Sequence, residues 1–106
     1  MLREIVHYGI HFILPIIAGI LFYPGKRLKA TLILLSGIII DLDHLLANPV
    51  FDPNRCSIGF HPLHAPWAIV LYATLLIPKS TRIFGLALMI HILADASDCW
   101  LLFKGF

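Results

Sequence analysis

The sequence predicts an all-α integral membrane protein, a bundle of four transmembrane helices arranged as two hairpins. Of its 106 residues, 59% are hydrophobic and 13% are charged, a composition far more apolar than that of a soluble domain. The apolar residues form four runs, at about residues 5–23, 28–47, 62–77 and 82–103, and these lengths are near the roughly 17–25 residues that cross a bilayer. We expect residues 1–106 to form a single domain.

Turn-forming residues separate the predicted spans. The first span is followed by Pro24 and Gly25, and the third by Pro78. Between the second and third spans lies the longest polar segment, with breaks at Asn48-Pro49 and at Asp52-Pro53-Asn54. This central loop is long enough to serve as a partial lid.

Basic residues predict the orientation in the membrane, because they concentrate in cytoplasmic loops. The two short loops contain five of the eight: Lys26, Arg27, Lys29, Lys79 and Arg82. The other three are Arg3, Arg55 and Lys104. Both termini and the central loop should therefore lie outside the cytoplasm. The net charge of +2 is too small to indicate a nucleic-acid partner.

Ionisable side chains recur once in every apolar run, at spacings that suit metal binding. The clusters are His7 and His11; Asp41, Asp43 and His44; His61 and His64; and His91, Asp95 and Asp98. Counted from the cytoplasmic end of each span, one member of every cluster lies about 12–13 residues along, or roughly 18–20 Å at 1.5 Å per residue. The four spans should therefore deliver their ligands to one layer in the outer half of the membrane.

A metal explains these residues together better than separate structural roles do. Any one of them could hydrogen-bond a neighbouring helix or cap a helix end. An aspartate at the bilayer centre, however, costs roughly 2.5–3.5 kcal/mol, and no Lys or Arg lies at this depth to neutralise it. One or two divalent ions would do so, and His and Asp ligands suit Zn best, with Mn or Fe as alternatives. Asp43 is the less certain ligand, since on an ideal α-helix it lies about 200° from Asp41.

These motifs, in this order, resemble the bacterial membrane-bound metal-dependent hydrolase superfamily, including its LexA-regulated inner-membrane members. The stretch DLDHLLANPVFDPNRCSIGFHPLH looks like a small branch of it. The resemblance implies a hydrolase of the bacterial inner membrane. The metal site that it implies contains His11, Asp41, Asp43, His44, His64, His91 and Asp95. A more distant similarity, in the use of helical His and Asp to hold clustered metals, is to zinc-dependent phospholipase C.

A hydrolytic reaction assigns further roles to three residues. A metal-bound water would be the nucleophile, and Asp98 or Asp43 could accept its proton. Arg55, in the central loop, could bind an anionic group. With the bilayer as the surrounding partner, we expect the substrate to be a lipid-borne or amphipathic ester, most simply a phosphoester, at the outer face. The sequence leaves open whether the chain forms a homo-oligomer.

Two other functions remain compatible with the sequence. Ionisable residues in a membrane also mark ion paths, so a metal or proton transporter is one alternative. The other is a structural protein whose ions only hold four helices together. Cys56 and Cys99 both fall on the outer side in the predicted topology, where they could form a disulfide if that side is oxidising.

Overall fold

The computed structural model describes residues 2–48 and 54–105. Within these ranges the chain is helical and contains no β-strand, so the all-α prediction is confirmed. We number four helices in chain order. They are α1 (Leu2–Phe22), α2 (Arg27–Leu35, continued by the 3₁₀-helix Ser36–Leu46), α3 (Pro66–Thr74) and α4 (Arg82–Phe103).

Two of the four predicted spans have the expected form. Helix α1, with 21 residues, and helix α4, with 22, are long and apolar enough to cross a membrane. The second predicted span changes from α to 3₁₀ geometry at Ser36, and α3 contains only 9 residues. The four-span bundle is therefore not confirmed as predicted.

The predicted third span is interrupted by Pro66. A residue that precedes proline is driven out of the α region, and Ala65 accordingly has extended geometry, with ψ at 160°. The preceding short 3₁₀-helix, Pro62–His64, thus ends before α3 begins. The chain also turns at Pro24 and Gly25, as predicted, whereas the breaks predicted at Pro49 and at Asp52-Pro53 lie outside the described residues.

Helix α1 contains a π-helical segment, Gly9–Ile13, at the point where it carries His11. Pro15 has no amide hydrogen to donate to the carbonyl of His11, so the regular α pattern cannot continue through this turn. The amide of Leu14 instead donates to the carbonyl of Gly9, five residues earlier. The wider turn places the His11 side chain in the interior, where it is 6% exposed.

The 3₁₀-helix resolves the geometry of the second His/Asp cluster. With three residues per turn, side chains three apart share a face, and the buried face consists of Gly37, Ile40 and Asp43. Asp41 and His44, also three apart, share the adjacent face. Around the helix axis the two aspartates therefore lie about 120° apart by the shorter way, instead of about 160° on an ideal α-helix (200° measured the other way round), so both can point toward the same neighbouring helices.

Helix α4 is the centre of the packing. One apolar cluster joins it to α1 and α2 and contains Ala18, Leu34, Ala87 and Ile90. A second cluster joins it to the 3₁₀-helix and α3 and contains Ile40, Ala68, Tyr72 and Ile92. The His/Asp residues of α4 lie near the end of this packed stretch, so the core holds them in place.

Gly37 permits the closest approach of the 3₁₀-helix to α4. A Cβ at this position would lie 2.5 Å from the carbonyl oxygen of Ala87, which is backbone and cannot rotate away. We expect Gly37→Ala to lower the free energy of unfolding by roughly 1–3 kcal/mol through overpacking. The matched control is Gly9→Ala, because a Cβ there would meet no described atom within 4 Å. Thermal unfolding of both variants in detergent checks this prediction, and equal melting temperatures would contradict it.

A disulfide joins the central loop to α4. Cys56 and Cys99 are bonded; their Cα atoms are 5.0 Å apart, and the two residues are separated by 43 positions in the sequence. The bond fixes the loop next to the helix that carries His91 and Asp95. It therefore also restrains His61 and His64, which follow Cys56 closely in the chain.

Candidate metal centre

Four donor atoms from three segments converge at the middle of the site, in what we call the central group: Asp41, His64, His91 and Asp95. The Nε2 atom of His64 lies 2.8 Å from Asp95 Oδ2 and 3.3 Å from Asp41 Oδ1. The Nε2 atom of His91 lies 3.1 Å from Asp95 Oδ2 and 2.9 Å from Asp41 Oδ1. The two Nε2 atoms are 3.1 Å apart.

These separations match the edges of a metal coordination polyhedron. A tetrahedral Zn ion with bonds of about 2.0–2.1 Å to nitrogen and oxygen has neighbouring ligand atoms about 3.3 Å apart. The side chains of His64 and His91 are also almost completely buried, at 0% and 2% exposure. The central group therefore has the ligand types, the spacing and the seclusion that a bound cation requires.

Asp43 orients His64 for this role. Its Oδ2 atom accepts a hydrogen bond of 2.9 Å from His64 Nδ1 and another of 2.9 Å from the amide of Leu63. With its Nδ1 proton held by a carboxylate, the ring presents the lone pair of Nε2 to the central group. Tyr72 fixes the same segment from α3, since its hydroxyl donates to the Leu63 carbonyl at 2.8 Å.

A second set of donors, the α1 group, lies beside the central group and consists of His7, His11 and Asp95. The Oδ1 atom of Asp95 is 3.6 Å from His7 Nδ1 and 3.9 Å from His11 Nε2. Asp95 thus presents Oδ2 to the central group and Oδ1 to the α1 group. One carboxylate is positioned to bridge two cations.

A third set, the loop group, consists of Asp43, His44 and His61. The rings of the two histidines are stacked, with centroids 3.9 Å apart, and His44 Nδ1 lies 3.1 Å from Asp43 Oδ1. Burial lowers the pKa of His61, which lies in the central loop. Its ring is therefore neutral near pH 7, as a metal ligand must be.

Several imidazole nitrogens of the site have no hydrogen-bond partner among the described residues. They are His11 Nε2, His61 Nε2 and His91 Nδ1, and all three are buried. A buried polar atom without a partner is destabilising unless something satisfies it. A cation would satisfy His11 in the α1 group and His61 in the loop group.

A cavity of about 420 Å³ lies beside the three donor groups, and residues from each group line it. Polar and apolar side chains share its wall, among them Arg3, Arg55, Phe12 and Leu42. Asp98 also lines it, and both of its carboxylate oxygens accept hydrogen bonds of 3.1 Å from Arg3.

The three groups contain all nine residues that the sequence singled out as metal ligands, and Asp98 and Arg55 line the adjoining cavity. Sequence reasoning missed the roles of Arg3 and Tyr72. The pairing of Arg3 could have been found from the sequence. Arg3 is the basic residue at the outer end of the first predicted span, and Asp98 lies near the outer end of the fourth. Tyr72 gave no signal, since a tyrosine in an apolar helix is typical of packing alone.

Comparison with known proteins places the chain in a family without assigning its function. A family model described as a family of unknown function (DUF6122) matches residues 1–102. The chain belongs to this family. No curated protein and no solved structure matches it. Any function for this DUF6122 member therefore has to be argued from the site itself.

Proposed function

We propose that the chain is a membrane-embedded metal-dependent hydrolase with Zn as its metal and a lipid-borne phosphoester as its substrate class. The observation that carries the proposal is the sharing of Asp95 between a group of four donors and a group of three. The resemblance to the membrane-bound metal-dependent hydrolases agrees with it.

The two groups suit different roles. Four protein ligands saturate a tetrahedral ion, as in structural zinc sites, whereas catalytic sites provide three and leave one position open. The central group has four donors and the α1 group has three. We therefore assign the structural ion to the central group and the catalytic ion to the α1 group, whose three residues all line the cavity.

A metal in the α1 group would supply a water of lowered pKa as the nucleophile. Side chains on the cavity wall would bind the substrate. Arg3 and Arg55 carry guanidinium groups, which match the oxygens of a phosphate in a planar fork. Phe12, Ile38 and Leu42 add apolar surface for the lipid portion. A phosphoester attached to a hydrocarbon fits both features.

We assign Asp98 to holding Arg3 rather than to proton transfer. Both of its oxygens already accept hydrogen bonds from the guanidinium, and a bidentate pair of this kind fixes the orientation of the arginine. The two roles separate kinetically. Asp98→Asn and Arg3→Gln should both raise KM if the pair positions substrate, whereas loss of a general base would lower kcat in Asp98→Asn alone.

The proposed location is the outer half of a bacterial inner membrane, with both termini outside the cytoplasm. Apolar side chains of α1 such as Ile13, Leu21 and Phe22 are 59%, 65% and 72% exposed, as residues facing lipid are. The disulfide supports the orientation, because such bonds persist on the oxidising side of a membrane. It lies at the same end of the molecule as the site, opposite the five basic residues of the short loops.

The second candidate is a structural metalloprotein, which the saturated central group favours by itself. A single experiment separates the two functions. We expect Zn-loaded protein in lipid nanodiscs to release product from a phosphatidic acid, a lysophospholipid or an isoprenyl phosphate. His11→Ala should lower this turnover by at least about 100-fold while the central ion remains bound. The matched control is Ser57→Ala, because Ser57 lines the cavity but offers no atom to the three groups.

Metal content is measured on the same samples, so that loss of activity and loss of folding are distinguished. Full turnover in His11→Ala would remove the α1 group from the mechanism. If the loaded wild-type protein hydrolyses none of these lipids, the structural function replaces the hydrolase.

A further inference from the structure

A second cavity lies at the opposite end of the molecule, where the two short loops meet. Its volume is about 600 Å³. Four basic side chains line it, together with two that carry a hydroxyl: Lys26, Lys29, Lys79, Arg82, Tyr23 and Ser80. It shares no lining residue with the cavity beside the metal groups. None of the functions considered above uses it.

The charge of this cavity is not balanced locally. None of its described lining residues is acidic, and the sequence has no Asp or Glu in residues 5–40 or 53–94. The carboxylates of the described chain lie at the metal end instead. Half of the chain's eight basic residues thus surround one concave surface, which favours an anionic ligand.

Backbone dipoles add to this potential. Helix α2 begins at Arg27 and helix α4 begins at Arg82, and neither has a side-chain N-cap. The positive ends of two helices therefore adjoin the basic side chains. Arg82 is held in place by hydrogen bonds of 2.9 and 3.2 Å to the carbonyls of Leu76 and Ile77. The flexible lysine side chains can move to contact a bound anion.

Apolar side chains on the same wall identify the kind of anion. Phe22 and Phe84 line the cavity and are 72% and 49% exposed. A free phosphate would gain nothing from them, whereas the acyl chains of a lipid would cover them. Basic pockets at the cytoplasmic ends of membrane helices recognise acidic headgroups in this way. We propose that this cavity binds the phosphate of an anionic phospholipid, with its acyl chains against Phe22 and Phe84.

The test measures lipid preference on the full chain. Purified protein is reconstituted in phosphatidylcholine vesicles with a trace of spin-labelled phosphatidylglycerol or spin-labelled phosphatidylcholine. The protein keeps its metal, and chromatography of the lipid extracted after each measurement checks that hydrolysis has not changed the label. We expect the wild-type protein to prefer phosphatidylglycerol. The preference should fall on the order of five-fold for each lysine removed in Lys26→Gln/Lys29→Gln/Lys79→Gln.

The control variant is Arg27→Gln/Lys104→Gln, which removes charge outside the cavity, including one residue of the same loop. It should keep the wild-type preference, and circular dichroism melting checks that both variants fold. Equal association of the two labels with the wild-type protein would overturn the proposal, as would an unchanged preference in the triple variant. Displacement of labelled phosphatidylglycerol by inorganic phosphate would assign the cavity to a free anion and overturn the lipid assignment.

Discussion

His64→Ala should release the ion of the central group, with affinity falling by more than about 100-fold. The residue is completely buried, and its Nε2 atom lies within 3.3 Å of donors on Asp41, His91 and Asp95. Changes that only reorient a ligand typically lower metal affinity 10–100-fold, so removal of a ligand should exceed that range. Loss of the ion would also leave the carboxylates of Asp41 and Asp95 within 4.8 Å of each other with no cation between them, which adds electrostatic repulsion.

The measurement is elemental analysis after dialysis against a competing chelator. Asp43→Asn provides the graded control, because it leaves all four donors of the central group in place and changes the carboxylate that orients His64. The expected order of affinity is wild type, then Asp43→Asn, then His64→Ala. Full occupancy in His64→Ala at chelator concentrations that strip Asp43→Asn would refute the central group.

Loss of the Cys56–Cys99 disulfide should lower the free energy of unfolding more than loss of any single hydrogen bond or ion pair does. For cysteines that are 43 positions apart in the sequence, loop closure predicts a contribution of roughly 4 kcal/mol to the free energy of unfolding. For a chain of this size that corresponds to a fall of more than about 10 °C in Tm. Cys56→Ser should also weaken metal binding, because the loop that carries His61 and His64 loses its anchor on α4.

Melting with and without a reductant tests this expectation. Reduced wild-type protein and Cys56→Ser/Cys99→Ser without reductant should have the same Tm, well below that of the oxidised wild type. The reductant should leave the double variant unchanged. Coincident melting of oxidised and reduced wild-type protein would mean that the bond does not constrain the fold.

Sequence periodicity was sufficient to find the His/Asp clusters but not to describe the backbone that carries them. His91 and Asp95 are four residues apart on a regular helix, so their common face follows from α geometry alone. Asp43 cannot be placed by α-helix geometry, because its segment is a 3₁₀-helix and does not have 3.6 residues per turn. The same segment approaches the backbone of α4 at Gly37, and a tertiary contact of this kind leaves no local sequence pattern.

The third span was not confirmed, because its prediction relied on hydropathy and did not consider the local backbone preferences of proline. An apolar run from 62 to 77 has the length of a short span, but it contains Pro66 four residues after Pro62. The extended conformation forced on Ala65 could have been anticipated, since any residue before proline is so restricted. The depth prediction assumed 1.5 Å per residue in all four spans, which the 3₁₀ segment and the broken third span do not follow. The structure nevertheless brings one member of each cluster within 3.9 Å of a member of another.

Asp95 makes the loading of the two proposed ions a single linked equilibrium. Its two oxygens face different groups, so an ion in one group changes the charge and orientation that the carboxylate offers to the other. By thermodynamic reciprocity, the factor by which the first ion alters the affinity of the second equals the factor by which the second alters that of the first. A metal titration should then depart from two independent binding isotherms. The size of the departure would measure the coupling that one shared side chain creates.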